Sequence, residues 1–183
     1  MKRSLGRQEL LEALNAMDEE LARRGVRAEL FVVGGAAMAI AYDARRSTVD
    51  VDAVFAPSDV VREVAKKVGR DLGLEFDWLN DGVKAFIPGE DPDRIAVFEG
   101  TFLSVAAASP RFLLAMKLLA SRTERDQDDI RFLYNLCGFT TAEEGLELLE
   151  QYYPQRLILP KVHFMLLEML DERGRDETRE LGR

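Results

Sequence analysis

The sequence predicts an α/β (α+β) fold in which a small mixed sheet is flanked by helices and followed by a helical portion. Two patterns carry this prediction. Short apolar segments that suit buried strands alternate with helical repeats up to about residue 108, and helical repeats continue from Ser109 onward. We therefore expect an α/β core at residues 1–108, a helical portion at 109–172 packed on it, and a charged tail at 173–183.

The first half of the chain has clear element boundaries. Apolar residues recur at helical spacing from about residue 7 to 24, and this helix should stop at Gly25. The next apolar run, Ala28 to Val33, reads as a buried strand that leads through a glycine pair into a helix of about two turns. The segment VDVDAVF then alternates, which puts Val49, Val51 and Ala53 on one face of a strand and Asp50 and Asp52 on the other.

The later elements follow from caps and turns. Ser58 is the expected N-cap of a helix that ends at Gly73, and residues 74–94 read as mostly irregular. Residues 95–98 and 102–106 suit a hairpin. In the helical portion, caps are expected at Ser109-Pro110, at the capping box of Thr141 and Glu144, and at Pro160, whose helix should end near Met169.

Composition narrows the classes of function. The 183 residues carry 33 acids and 25 bases, a formal charge of −8, so a generally basic nucleic-acid surface is excluded while local basic patches are not. One cysteine and one histidine exclude a His/Cys zinc site and a disulfide framework. No apolar run is long enough to span a membrane, and the cytoplasm is the expected location.

The segment from Gly34 to Asp52 suggests phosphate chemistry. Glycines at the start of a helix let the backbone approach an anion, which the free N–H groups there favour. Aspartates at positions i and i+2 of a strand share a face and can converge on a divalent cation that also binds nucleotide phosphates. The expected cofactor is Mg²⁺, held by Asp50 and Asp52, and the expected substrate is an NTP.

This arrangement resembles the signature of the nucleotidyltransferase superfamily: a Gly-Gly or Gly-Ser turn, a helix, and two acidic residues separated by an apolar one. The version Gly-Gly…Arg-Arg-Ser-Thr-x-Asp-x-Asp is similar to the AbiEii-type branch, found among toxins of bacterial toxin-antitoxin systems, or to a sister family of it. The resemblance covers about residues 28–135. It implies nucleotide binding by Gly34, Gly35, Arg46 and Thr48.

The same branch carries a helix with the pattern Lys-x-x-Ala followed by Arg-Asp-x-x-Asp-Ile, which Lys117 to Ala120 and Arg125 to Ile130 match. It implies catalytic roles for Lys117, Asp126 and Asp129 beside Asp50 and Asp52. Lys117 lies in an apolar helix, so its ammonium either extends to solvent or meets an anion such as a phosphate. Asp126 and Asp129 could equally cap the helix and pair with Arg122 and Arg125.

These residues suggest an enzyme that transfers a nucleotidyl group from an NTP to a hydroxyl. The acceptor could be RNA, with a tRNA end suggested by the toxins, a protein or a small molecule, and a cognate antitoxin or toxin is an expected partner. A local basic patch for RNA could come from Arg23, Arg24, Arg27, Arg45, Arg46, Arg122 and Arg125.

The alternative is a non-catalytic member that binds a nucleotide or a protein partner. An antibiotic-modifying enzyme is a third reading, which an acidic pocket would indicate. Asp77, Asp81 and Glu99 are candidates for a third catalytic carboxylate, which this branch can also lack.

Overall fold

The computed structural model describes residues 4–42, 47–120 and 126–181, with side chains up to residue 172. Arg45, Arg46, Arg122 and Arg125 lie outside the described residues. The chain forms two compact units. The first comprises Met1–Ile87 and Asp91–Ser109, and the second comprises Pro88–Glu90 and Pro110–Arg183. That the helical portion packs on the α/β core stays a prediction.

The first unit is a five-stranded mixed sheet with helices. Its elements are α1 (Arg7–Arg24), β1 (Ala28–Val32), α2 (Gly34–Ala37), a π-helical turn (Met38–Tyr42), β2 (Val51–Ala56), α3 (Ser58–Leu72), β3 (Leu79–Asn80), a 3₁₀ turn (Gly82–Phe86), β4 (Ile95–Glu99) and β5 (Leu103–Ala107). The strand order is β3-β2-β1-β5-β4. β1 runs antiparallel to β2 and parallel to β5, β2 runs parallel to β3, and β4 runs antiparallel to β5. The predicted fold class is confirmed.

The two faces of the sheet differ in burial. Leu30 pairs with Phe55 on one side and Val105 on the other, and all three are buried on the face against which α1 and α3 pack. Side chains that point the other way, such as Phe31 and Val54, are only half-buried. Among the described residues, this second face is less buried than the first, and we call it the open sheet face.

Several local predictions need correction. β2 begins at Val51, so Asp50 precedes the strand, and Val49 is exposed rather than buried with Val51. The chain before β2 instead pairs with the N-terminal segment at Leu5, which ends the alternation. Ser58 is the first residue of α3 and makes no capping hydrogen bond, because Pro57 holds the cap position. The region expected to be mostly irregular contains the two-residue strand β3.

The second unit contains α4 (Pro110–Ala120), α5 (Gln127–Cys137), α6 (Ala142–Tyr152) and α7 (Pro160–Leu181). The predicted capping box is present: Thr141 accepts from the backbone N–H of Glu144, whose carboxylate accepts from the backbone N–H of Thr141. The last helix does not end near Met169, because the helix-forming residues of the charged segment continue it to Leu181. Within the described residues, no helix is long and apolar enough to cross a membrane.

Candidate functional site

The turn after β1 places a carboxylate beside its first glycine. Gly34 has a φ of 62°, a left-handed conformation in which a residue with a side chain would be strained. It is the first residue of the helical segment formed by α2 and the π-helical turn. A Cβ atom on Gly34 would lie 3.5 Å from an Oδ2 atom of Asp52. The backbone N–H of Val33 donates to the carbonyl of Asp52 at 2.9 Å, which extends the ladder between β1 and β2 to this point. Asp52 is thus fixed next to the glycine turn.

The second glycine meets Thr48. A Cβ atom on Gly35 would lie only 2.8 Å from the hydroxyl oxygen of Thr48. That hydroxyl donates to the carbonyl of Asp50 at 2.9 Å. Backbone hydrogen bonds in both directions between Thr48 and Leu5, at 2.6 and 2.9 Å, hold this segment in place. Thr48 therefore links the glycine pair to the chain that carries the aspartates.

Gly35→Ala tests this contact. The added methyl group has no room beside Thr48, so we expect it to lower the free energy of unfolding by about 1–3 kcal/mol, the usual cost of overpacking. Thr48→Ala alone should cost about 1 kcal/mol through its lost hydrogen bond. Denaturant unfolding of both single variants and the double variant is the measurement. The double variant should cost less than the sum, because Thr48→Ala removes the clashing oxygen. Strictly additive costs would contradict the close approach.

Among the described residues expected to bind nucleotide and metal, Gly34 lies beside the carboxylate of Asp52, and Thr48 contacts both Gly35 and the backbone of Asp50. Asp52 lies on β2 and is half-buried, and Asp50 is half-buried in the bend before it. Arg46 lies outside the described residues. The roles assigned to these residues stay predictions.

A magnesium ion would need ligands beyond the aspartates. Among the described residues, no group of three or more Asp, Glu, His or Cys side chains could hold a metal. Mg²⁺ in phosphate-transfer sites is commonly held by one or two carboxylates together with the substrate's own phosphates. The carboxylate of Asp52 beside the glycine turn, with Asp50 two residues before it, fits that kind of binding, in which the metal arrives with the nucleotide, rather than a permanent metal site.

None of the three candidates for a third carboxylate has contacts that identify it as catalytic. Asp77 is exposed in the turn before β3, and Asp81 pairs with Arg62 of α3. Glu99 lies on the open sheet face, opposite Ser104. On β5, register places Ala106 opposite Phe31, and the backbone N–H of Ala108 donates to the carbonyl of Val32. The residues that lie nearest to Asp52 across the sheet, at the end of β5, are therefore alanines.

Lys117, Asp126 and Asp129 form one cluster in the second unit. The ammonium of Lys117 lies 2.8 Å from a carboxylate oxygen of Asp126 and 2.7 Å from one of Asp129. All three side chains are mostly buried, with exposed fractions of 12%, 18% and 19%. The anion that Lys117 meets is thus supplied by the chain itself, and its contact with a phosphate stays a prediction.

Sequence reasoning missed the buried carboxylate of Asp91. It is 2% exposed and accepts from the backbone N–H of Asp93 and from the backbone N–H and hydroxyl of Ser109, at 2.7 to 3.2 Å. The Asp-Pro-Asp run at this position could have indicated a structural aspartate, because such a run is typical of a turn closed by an aspartate side chain. Asp91 thus holds Ser109, two residues after the end of β5, which is a structural role.

A strand, a glycine turn and a helix, followed by a strand that returns an aspartate to the turn, define a protein with a nucleotidyltransferase-like fold. The family model described as "Nucleotidyltransferase of unknown function (DUF6036)" matches residues 8–156. The chain belongs to this family.

One similar solved structure is an antigenic nucleotidyltransferase-like protein from Paracoccidioides brasiliensis. It is 13% identical, with a TM-score of 0.45, and the match covers 96% of this chain and 94% of that chain. No curated protein matches the chain.

Proposed function

We propose that this protein is a Mg²⁺-dependent nucleotidyltransferase that moves a nucleotidyl group from an NTP to a hydroxyl acceptor. The observation that carries the proposal is the carboxylate of Asp52 beside the left-handed Gly34. In the reaction, the acceptor oxygen bonds to the α-phosphorus of the NTP and the bond to the β-phosphate bridge breaks. Pyrophosphate leaves, and the hydroxyl proton passes to solvent or a nearby base.

Each residue has a separate task in this proposal. The backbone of Gly34 and Gly35 approaches the triphosphate, which the missing side chains permit. Asp50 and Asp52 would hold Mg²⁺, which neutralises charge on the phosphates. Thr48 keeps the Asp50 backbone in position through its hydrogen bond. Arg46 and Lys117 are proposed to contact phosphates, and Asp126 and Asp129 to act in catalysis, on the strength of the resemblance alone.

Thermal unfolding tests nucleotide binding. A nonhydrolysable NTP at about 100 times its Kd, with Mg²⁺, should raise the melting temperature by roughly 5–10 °C, because a ligand of the native state stabilises it by mass action. The double variant Asp50→Asn with Asp52→Asn should lose this rise. Its melting temperature without ligand should not fall, because two neighbouring carboxylates repel each other.

The same nucleotide without Mg²⁺ is the control, and it should give a much smaller rise. An unchanged rise in the double variant would place the nucleotide elsewhere and remove the basis of the proposal. Binding without turnover would favour the second candidate, a non-catalytic nucleotide- or partner-binding member. This non-catalytic candidate is favoured by Ala106 and Ala108, because alanines stand where a third carboxylate could lie.

The proposed setting is that of the AbiEii-type toxins of bacterial toxin-antitoxin systems. In that setting the protein acts in the cytoplasm, has a cognate antitoxin or toxin partner, and modifies a tRNA end or a protein. Of the basic residues considered for an RNA patch, Arg23 and Arg24 pair with Glu20, and Arg27 donates to the carbonyl of Thr101. Two of the three described residues of that patch are therefore paired with a carboxylate, whereas the partner of Arg27 is an uncharged carbonyl.

A further inference from the structure

Both ends of the helical segment at residues 34–42 are tied to one residue, Ala108. Just before the segment, the carbonyl of Val32 accepts from the backbone N–H of Ala108 at 2.9 Å. At its end, the hydroxyl of Tyr42 donates to the carbonyl of Ala108 at 2.6 Å. All of these residues belong to the first unit. The chain that carries the glycine pair is therefore closed into a loop by hydrogen bonds to the two sides of a single residue.

Ala108 is held in place by its neighbours in the chain. It is fully buried and directly follows β5, whose last residue, Ala107, pairs with Val32. The next residue, Ser109, donates to the carboxylate of Asp91 from both its backbone N–H and its hydroxyl. Because the chain is fixed on both sides of Ala108, its carbonyl is an acceptor in a defined position.

The helical segment is supported from outside near its end. Its second half, Met38–Tyr42, is a π-helical turn, a geometry that occurs mostly as single turns and frequently at functional sites. The guanidinium Nε of Arg7, the first residue of α1, donates to the carbonyl of Ile40 at 3.1 Å. Tyr42 is the last residue of the turn and is half-buried. The hydrogen bonds at Ile40 and Tyr42 therefore fix where the segment ends.

The position of this end affects the glycine turn at the other end. A Cβ atom on Gly34 would lie 3.5 Å from the carboxylate of Asp52, so the turn and the carboxylate are close neighbours. Asp52 belongs to β2 and is held by the sheet, whereas Gly34 and Gly35 belong to the helical segment. A shift of the segment at Tyr42 would therefore move the glycines relative to the carboxylate. Misplacement of about 1 Å can have a large effect where two groups act on one ligand.

We propose that Tyr42 is a positioning residue for the triphosphate. Its hydroxyl holds the helical segment at Ala108, and the segment in turn holds the backbone of Gly34 and Gly35 against the phosphates of the nucleotide at Asp52. The inference rests on the proposed function and adds a residue that acts through the glycine turn. Its contribution is to binding, because the same backbone contacts are made before and during the transfer.

Tyr42→Phe tests this role, because it removes only the hydroxyl group. Calorimetric titration of the full-length protein with Mg²⁺ and a nonhydrolysable NTP, well below the melting temperature, gives the Kd. We expect the Kd to rise about three- to tenfold, the equivalent of one lost hydrogen bond. Arg7 still holds Ile40 in this variant, so the segment should shift and the protein should stay folded.

Two further measurements locate the effect. Inorganic tripolyphosphate with Mg²⁺ should lose affinity by the same factor as the NTP, because the glycine turn acts on phosphates. In turnover, the KM for the NTP should rise while kcat stays within about twofold of the wild type, the pattern of an interaction that ground state and transition state share.

Tyr134→Phe is the matched control. Tyr134 lies on α5 in the second unit, and its hydroxyl donates to the carbonyl of Thr141 at 3.1 Å. This variant also loses one bond from a hydroxyl to a carbonyl, so its melting temperature should fall by a similar amount. One hydrogen bond is small compared with the stability of a folded domain, so both variants remain folded during the titration. The Kd of Tyr134→Phe should equal that of the wild type.

Three results would overturn the inference and leave the proposed function standing. They are a wild-type Kd in Tyr42→Phe, an equal rise in Tyr134→Phe, and a rise for the NTP while tripolyphosphate is unaffected or does not bind. The last of these would assign the effect to the base or the sugar. A wild-type protein that binds neither ligand would instead overturn the proposed function, and the inference with it.

Discussion

Asp52→Asn is expected to lower the rate of nucleotidyl transfer by about 10³-fold while the protein stays folded. The substitution keeps the shape of the side chain and removes the charge that lies beside the Gly34 turn. Loss of one preorganised electrostatic contact in a phosphoryl-transfer site typically costs about 10²- to 10³-fold in rate, and loss of a metal ligand adds to this. The measurement is steady-state pyrophosphate release at several Mg²⁺ concentrations.

Asp93→Asn is the matched control for this result. Asp93 is an exposed carboxylate of the same unit, and the same chemical change there should leave the rate unaltered. A rate for Asp52→Asn within a few fold of the wild type would show that the carboxylate beside the glycine turn does not take part in the transfer.

Lys117→Met is expected to affect both stability and activity. The ammonium of Lys117 lies between Asp126 and Asp129, so its removal takes away a cation that both mostly buried carboxylates contact. We expect the free energy of unfolding to fall by about 3 kcal/mol, as when one partner of a buried ion pair is deleted. The transfer rate should fall about 10²- to 10³-fold if the lysine offsets charge on the phosphates, as the resemblance implies.

A triple variant separates these two effects. Lys117→Met combined with Asp126→Asn and Asp129→Asn removes the lysine together with the two carboxylate charges that it contacts, so most of the lost stability should return. The account predicts that this variant stays at least 100-fold slower than the wild type. A triple variant that regains both stability and activity would show that the cluster only holds the second unit together.

The arrangement of the candidate site could be anticipated because it is local in sequence. The strand, the glycine pair, the short helix and the next strand follow one another between Ala28 and Ala56, so an antiparallel return brings Asp52 back to Gly34. The cap predicted at Thr141 was correct for the same reason, since it depends on two residues three positions apart.

Features that depend on distant pairing could not be anticipated. The sheet requires β5 to lie between β1 and β4, and β1 and β5 are separated by the 70 residues from 33 to 102. The end of the alternation at Val49 depends on pairing with Leu5. Asp91 resembled any loop aspartate because its partner, Ser109, is 18 residues away. Local patterns contain no information on such partners.

The fate of the α-phosphate tests the central claim most directly. The wild-type protein would be incubated with Mg²⁺, total cell RNA and protein, and an NTP labelled either at the α- or at the γ-phosphate. The account predicts that the α-label becomes covalently attached to an acceptor, while the γ-label is released in pyrophosphate, and that Asp52→Asn abolishes both. Attachment of the γ-label, release of free phosphate alone, or unaltered transfer by Asp52→Asn would contradict the assignment of this site to nucleotidyl transfer.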